Sequence, residues 1–237
     1  MNDRVNSFGQ ELGEPLVDWT GSEWPAHERM SGRHCALVPL DPKLHSEALY
    51  QVFADDQGGR DWTYLGYGPF DDFEQFDYWL NSIGVQTDPQ FYVIEGAQSG
   101  SVLGLLSLLR IQADAGSIEV GHIHYSRKLQ QTAAATEAMF LLMHRVFEDL
   151  GYRRYEWKCD DLNLRSKAAA ARLGFVFEGV FRQALVYKGR NRDTAWFSIT
   201  DKEWPLLKRA YELWLDPNNF GVDGVQINSL ASLRNLK

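Results

Sequence analysis

The stretch that most restricts the fold runs from residue 117 to residue 151. SIEVGHIHY (117–125) alternates as a half-buried strand does. Further on, Ala135, Ala138, Met139, Leu142, Val146 and Leu150 recur at helical spacing, and Gly151 ends the pattern. Between the two lies RKLQQTAAATEA (127–138), in which three alanines stand between Thr132 and Thr136. A turn that needed only backbone freedom would favour Gly or Asn. Alanines instead start a helix firmly and keep bulk away from its first turn. That turn carries unpaired N–H groups and the positive end of the helix dipole, so small residues there let an anion such as a phosphate approach the backbone. Tight strand-to-helix packing would use the same residues, and the local sequence leaves both open.

The rest of the chain arranges itself around this junction. HCALVPL (34–40) reads as a strand, followed by a helix after Asp41-Pro42, where Pro suits the first turn. DYWLNSI, preceded by Pro69 and by Asp71-Asp72, gives a second helix. Strands are expected at 90–96 and 101–111, then at 153–159, followed by a short Ala-rich helix over 163–174. FVFEGVF, ALVYKG and TAWFSI read as three further strands, and 202–215 as a last helix. Residues 1–32 are expected to form an extended leader, with Trp19 and Trp24 as anchors, 33–215 one α/β domain, and 216–237 a weakly ordered tail. The strands are antiparallel early, with a βαβ unit in the middle.

A formal charge of −8 argues against a nucleic-acid surface, which is normally basic. Cys35 and Cys159 lie far apart without metal-ligand spacing, so neither a disulfide framework nor a metal site is indicated. No stretch approaches a membrane span and the start lacks the apolar core of a signal peptide; the expected setting is cytoplasmic.

The order of elements and two motifs together resemble the GNAT acyltransferases, in particular the RimJ/RimL-like branch of ribosomal-protein N-terminal acetyltransferases. That family's first motif, Gln/Arg-x-x-Gly-x-Gly/Ala, follows a strand and opens a helix. It is matched by Gln130, Ala133 and Ala135. The second, Asn-x-x-Ser followed by Leu-Gly-Phe, is matched within DDLNLRSKAAAARLGFVFEG. The resemblance spans roughly residues 33 to 204. It implies an α/β (α+β) fold with a central mixed, mostly antiparallel sheet flanked by helices. It further implies acetyl transfer from acetyl-CoA to a primary amine, either a protein N-terminus or a small molecule, by direct attack in a ternary complex. Monomer and homodimer are both compatible with it.

Carried over position by position, the resemblance assigns the cofactor's pantetheine arm to the backbone of Ile123, His124 and Tyr125. The pyrophosphate falls to the loop formed by Gln130, Gln131, Thr132, Ala133, Ala134, Ala135 and Thr136. Ala133 departs from the family's glycine and narrows the approach. Asn163 matches an asparagine that contacts the cofactor arm, and equally suits a helix cap. Ser166 is the serine proposed in this branch to protonate the leaving thiolate; its alternative is a hydroxyl satisfied within the first turn of its helix. The family's frequent tyrosine acid would fall at Ala170, and a base used by some relatives at Lys158. Glu119, through a water, and His122 remain as candidate bases. Strict alternation puts Glu119 with Gly121 and Ile123 on one face and both His122 and His124 on the other, unless a bulge intervenes. Trp62, Tyr64 and Tyr67 are candidates for the acceptor wall or for a satellite aromatic cluster. An acyl-CoA-binding protein with little catalysis is the alternative function, motivated by Ala133, Lys158 and Ala170.

Overall fold

Asp41 and Pro42 start the first helix by complementary means. The Asp41 carboxylate accepts from the N–H of Lys43 at 3.0 Å, and Pro42 fills a first-turn position whose N–H has no helical partner. In this computed structural model, which describes residues 4–56 and 58–235, helix α1 (Pro42–Phe53) packs beside α2 (Phe73–Gly84), itself capped by Asp72. The strands are β1 (Met30–Ser31), β2 (Cys35–Pro39), β3 (Gln90–Gly96), β4 (Val102–Gln112), β5 (Ser117–Tyr125), β6 (Arg154–Asp160), β7 (Val176–Tyr187) and β8 (Arg190–Thr200). The remaining helices are α3 (Ala133–His144), extended by a π turn over Arg145–Asp149, α4 (Leu164–Leu173), α5 (Trp204–Leu215) and α6 (Leu230–Arg234).

All eight strands form one sheet in the order β1-β2-β3-β4-β5-β6-β8-β7. Every neighbouring pair is antiparallel except β5 and β6, the two arms of the βαβ unit. Their parallel pairing runs only from Ser117↔Arg154 to Val120↔Trp157. Beyond it Gly121–Tyr125 and Lys158–Asp160 continue without bonding each other, so the sheet opens at that end. The larger core lies on the face covered by α3, α4, α5 and α6, around Met139, Leu142, Tyr155, Trp157 and Phe197. A second core lies on the opposite face under α1 and α2, around Leu49, Phe76, Leu80 and Phe91.

Three sequence expectations are corrected here. FVFEGVF and ALVYKG are one strand, β7, because its register shifts near Glu178 and again between Phe181 and Leu185 absorb the breaks in pattern. The tail folds back rather than staying loose. Ser229 caps α6, and Leu230 and Leu233 are buried in the larger core. Of the two leader tryptophans only Trp19 is anchored, through its Nε1–H to the Asp114 carbonyl at 2.9 Å, whereas Trp24 is half exposed. Residues 1–3 of the leader and 236–237 of the tail lie outside the described residues.

Candidate active site

The alanine junction forms a bare helix start beside the opening of the sheet. Thr132 caps α3, accepting from the N–H of Ala135 at 3.2 Å and donating to the Leu129 carbonyl at 2.7 Å. Gln131 adopts a left-handed φ of 62°. The Gln130 side chain turns back to the Tyr125 carbonyl, and Thr136 accepts from Arg172. These side chains are thus engaged in holding the loop. The N–H groups of Gln131, Ala133 and Ala134 have no acceptor among the described residues. The hydroxyl of buried Ser126, where β5 leaves for the loop, is also without a partner. Behind the helix, buried Glu137 accepts from the N–H groups of Arg33, His34 and Cys35 at 2.8, 2.6 and 2.9 Å, which fixes α3 against β2. Three unpaired amides at a dipole's positive end, two of them on alanines, fit a pyrophosphate.

Strand β5 departs from strict alternation at the sheet opening. Leu105 pairs with His124 and Ser107 with Gly121, so His122 and Ile123 together oppose Leu106. His122 takes up the extra residue with a φ of 52°. The bulge reverses the expected faces. Ile118 and Val120 point into the larger core, Ile123 and Tyr125 pack against that same core, and Glu119, His122 and His124 all share the opposite face.

The three residues on that face have different surroundings. Glu119, 3% exposed, receives Arg110 Nη1 on both oxygens at 2.8 Å and Lys158 Nζ at 2.9 Å. Lys158 also meets Glu156 at 2.7 Å and lies 3.7 Å from the ring centre of Trp196. Burial holds the Glu119 carboxyl above its usual range, and the two cations offset that only in part. With both oxygens taken by charged donors, this carboxylate is an anchor for Lys158 more than a free base. His124 is stacked 3.8 Å from Phe53 and buried. His122 stacks on Tyr67, and its Nδ1 lies 3.0 Å from the Tyr67 hydroxyl. Burial lowers both imidazoles to about 4, so both are neutral at pH 7.

On the far side of the opening, Asn163 caps α4 by accepting from the N–H of Ser166 at 3.1 Å. The Ser166 hydroxyl accepts the indole N–H of Trp157 at 2.9 Å, a contact the sequence pattern did not reveal. One lone pair is thereby occupied, and the hydroxyl also reaches the Cys159 thiol, so its proton is shared between that sulfur and any acceptor placed in the opening. Ala170 is fully buried. Cys159 is buried too and its thiol is pushed up, which makes it an apolar filler rather than a nucleophile.

The aromatic segment 58–70 divides between the two roles expected of it. Trp62 is 5% exposed and packed among Phe53, Phe70, Trp79 and His124 as part of the second core. Tyr67 reaches His122, as above. Tyr64 donates to the Leu162 carbonyl at 3.2 Å, and Lys188 donates to the Trp62 carbonyl at 2.8 Å. The segment is therefore tied to the loop before α4 and to the β7–β8 turn. Of the basic residues near the loop, Arg127 faces Asp56 at 3.8 Å and Lys167 is paired with Asp161.

Residues 35–176, more than half of the chain, match the Acetyltransferase (GNAT) domain family. The crystal structure of a GCN5-related N-acetyltransferase from Brucella melitensis is 42% identical, with a TM-score of 0.91, covering 93% of this chain and all of that one. A Bacillus subtilis protein named "Putative ribosomal N-acetyltransferase YdaF" is 23% identical over 72% of this chain and 93% of its own length. The microcin C7 self-immunity acetyltransferase MccE, solved in complex with acetyl-CoA and AMP, shares the fold at 20% identity, with a TM-score of 0.62, over 71% of this chain and 93% of that one. Among the described residues no helix is long and apolar enough to cross a membrane.

Proposed function

The chain belongs to the GNAT acetyltransferase family, and on that footing we propose that it transfers acetyl from acetyl-CoA to a primary amine by direct attack in a ternary complex. The observation that carries this reading is the set of unpaired amides at Gln131, Ala133 and Ala134, set beside the point where β5 and β6 part. The amides would hold the pyrophosphate. The backbone of Ile123, His124 and Tyr125, on the side of β5 where pairing with β6 has ended, with Asn163 across the opening, would line the pantetheine arm. Ala133 keeps helical geometry at the position of the family's glycine, so the cradle needs no left-handed residue there.

In the transfer, the amine nitrogen bonds to the thioester carbonyl carbon, the C–S bond breaks, and the electron pair leaves on sulfur. Ser166 supplies a hydrogen-bond donor to that thiolate, directly or through a water, with Trp157 holding its oxygen in place. A free protein N-terminus is the favoured acceptor class, supported by the likeness to the Bacillus subtilis relative named as a ribosomal N-acetyltransferase. Small amines are the second class.

The experiment supplies acetyl-CoA with a mixture of hexapeptides bearing free N-termini and, separately, a panel of small primary amines. Free thiol and product mass are followed together. One thiol released per acetylated amine is the expected result. Thermal stabilisation by acetyl-CoA with no thiol release in either set would indicate an acyl-CoA-binding protein instead.

A further inference from the structure

Resting on the N-acetyltransferase reading, we propose that His122 takes the proton from the acceptor nitrogen and that Tyr67 positions it to do so. Several independent features converge on this imidazole. It lies two residues beyond Val120, the last β5 residue paired with β6, where the sheet opens. It is the extra residue of the bulge, held at φ 52°, a region in which a side chain other than Gly is costly and which clusters at functional sites. A straight strand would have turned it to the other face. The bulge brings it instead against Tyr67 and Phe91, on the side of the aromatic segment 58–70.

The hydrogen bond to Tyr67 decides which nitrogen can act. If the imidazole carries its proton on Nδ1, that N–H donates to the Tyr67 oxygen at 3.0 Å and leaves the Nε2 lone pair free. Burial keeps Tyr67 a neutral phenol, so its oxygen remains an acceptor of moderate strength throughout. The groups facing His122 are Tyr67 from the aromatic segment 58–70, Arg110 from β4 and Glu119 from β5. Arg110 and Glu119 are paired with each other, and Arg110 adds to the effect of burial in keeping the ring neutral.

A weakly basic imidazole suits the timing of this reaction. An amine becomes strongly acidic only as its nitrogen bonds to the carbonyl carbon. Nε2 accepts that proton as the C–N bond forms, the C–S bond then breaks, and the thiolate is protonated from the Ser166 side or by solvent. The resulting imidazolium keeps its Nδ1–H bond to Tyr67 and returns its proton to water. Glu119, whose two oxygens are already occupied by Arg110 and Lys158, does not compete for the role.

Asn and Gly both tolerate a left-handed φ, so His122→Asn and His122→Gly remove the base without forcing the bulge to unfold. Single-turnover rates are measured with acetyl-CoA and the hexapeptide mixture, alongside thermal melting and acetyl-CoA affinity. Both variants should fold, bind acetyl-CoA as the wild type does, and transfer acetyl ~10²–10⁴-fold more slowly. Added imidazole should restore His122→Gly in proportion to its free-base fraction as pH is varied. Long-range 1H–15N spectra should place the wild-type proton on Nδ1, and Tyr67→Phe should shift it toward Nε2 with a partial loss of rate and unchanged acetyl-CoA affinity. A wild-type rate in His122→Asn overturns the inference. So does a slow His122→Gly that imidazole fails to restore, or a wild-type proton found on Nε2. A wild-type protein that binds acetyl-CoA but acetylates nothing contradicts the transferase reading itself, which distinguishes the two failures.

Discussion

The indole N–H of Trp157 donates to the hydroxyl of Ser166 at 2.9 Å, joining the last β6 residue paired with β5 to the first turn of α4 beside the opening in the sheet. Trp157 is 5% exposed, so its N–H has no water to fall back on if that oxygen is removed. The contact makes Ser166 a donor of fixed orientation and also a structural acceptor.

Ser166→Ala should therefore do two things. It should lower kcat by ~10²–10⁴-fold by removing the donor to the thiolate. It should also cost about 1–3 kcal/mol of stability by leaving the Trp157 N–H unpaired. In a Trp157→Phe background the same substitution should cost less stability while kcat stays low. Urea unfolding and single-turnover rates on the four proteins separate the two effects. A wild-type rate in Ser166→Ala would leave Tyr187, whose hydroxyl is committed to Asp160 at 2.8 Å, as the next donor to test.

Much of the fold could be read from local chemistry, and the failures have identifiable causes. The Asp41-Pro42 start, the Thr132 cap and the Gly174 stop of α4, at φ 103°, depend on residues next to one another in the chain. The sheet faces do not. A period-two reading of SIEVGHIHY puts His122 opposite Glu119 unless a bulge intervenes, and the bulge depends on how β4 pairs with β5 and leaves no mark in hydrophobic alternation. For Trp62, a Gly-rich aromatic segment leaves acceptor wall and satellite cluster both open. Its burial follows from Gly68, where an added Cβ would come within 2.5 Å of the indole, and from Phe53 on a different element. The polar residues beside the sheet opening can be named from the sequence, but their partners cannot. Tyr67 lies 55 positions from His122, and Arg110 reaches Glu119 from the neighbouring strand.

The position of Trp62 sets a stability prediction in place of a specificity one. Trp62→Ala should destabilise the protein by about 3–5 kcal/mol through the cavity left among Phe53, Phe70, Trp79 and His124. Urea unfolding measures the loss. Full stability with a rise confined to the acceptor KM would return Trp62 to the acceptor wall.

The buried histidines predict loss of stability in acid. The His124 pKa falls from 6.5 to about 4 on folding, so below pH 6.5 the unfolded chain takes up a proton that the folded chain refuses. Its contribution is present above pH 6.5 and disappears as pH falls toward 4, a change of about 3 kcal/mol at most. His122 adds to the same limb. Stability measured by urea unfolding between pH 7 and pH 4 should drop, and His124→Phe should flatten that drop. An unchanged slope in the variant would mean that His124 titrates alike in both states.

The most direct test of the central claim, that acetyl-CoA sits on the amides of the alanine junction, is thermal melting of the wild type and Ala133→Glu with and without acetyl-CoA. At ~100 times its dissociation constant the ligand should stabilise the wild type by about 2.7 kcal/mol. Ala133→Glu, with bulk and negative charge set against the unpaired amides of Gln131, Ala133 and Ala134, should melt as the wild type does without ligand and gain nothing when acetyl-CoA is added. An equal gain in both proteins would contradict the claim and place the cofactor elsewhere on the fold.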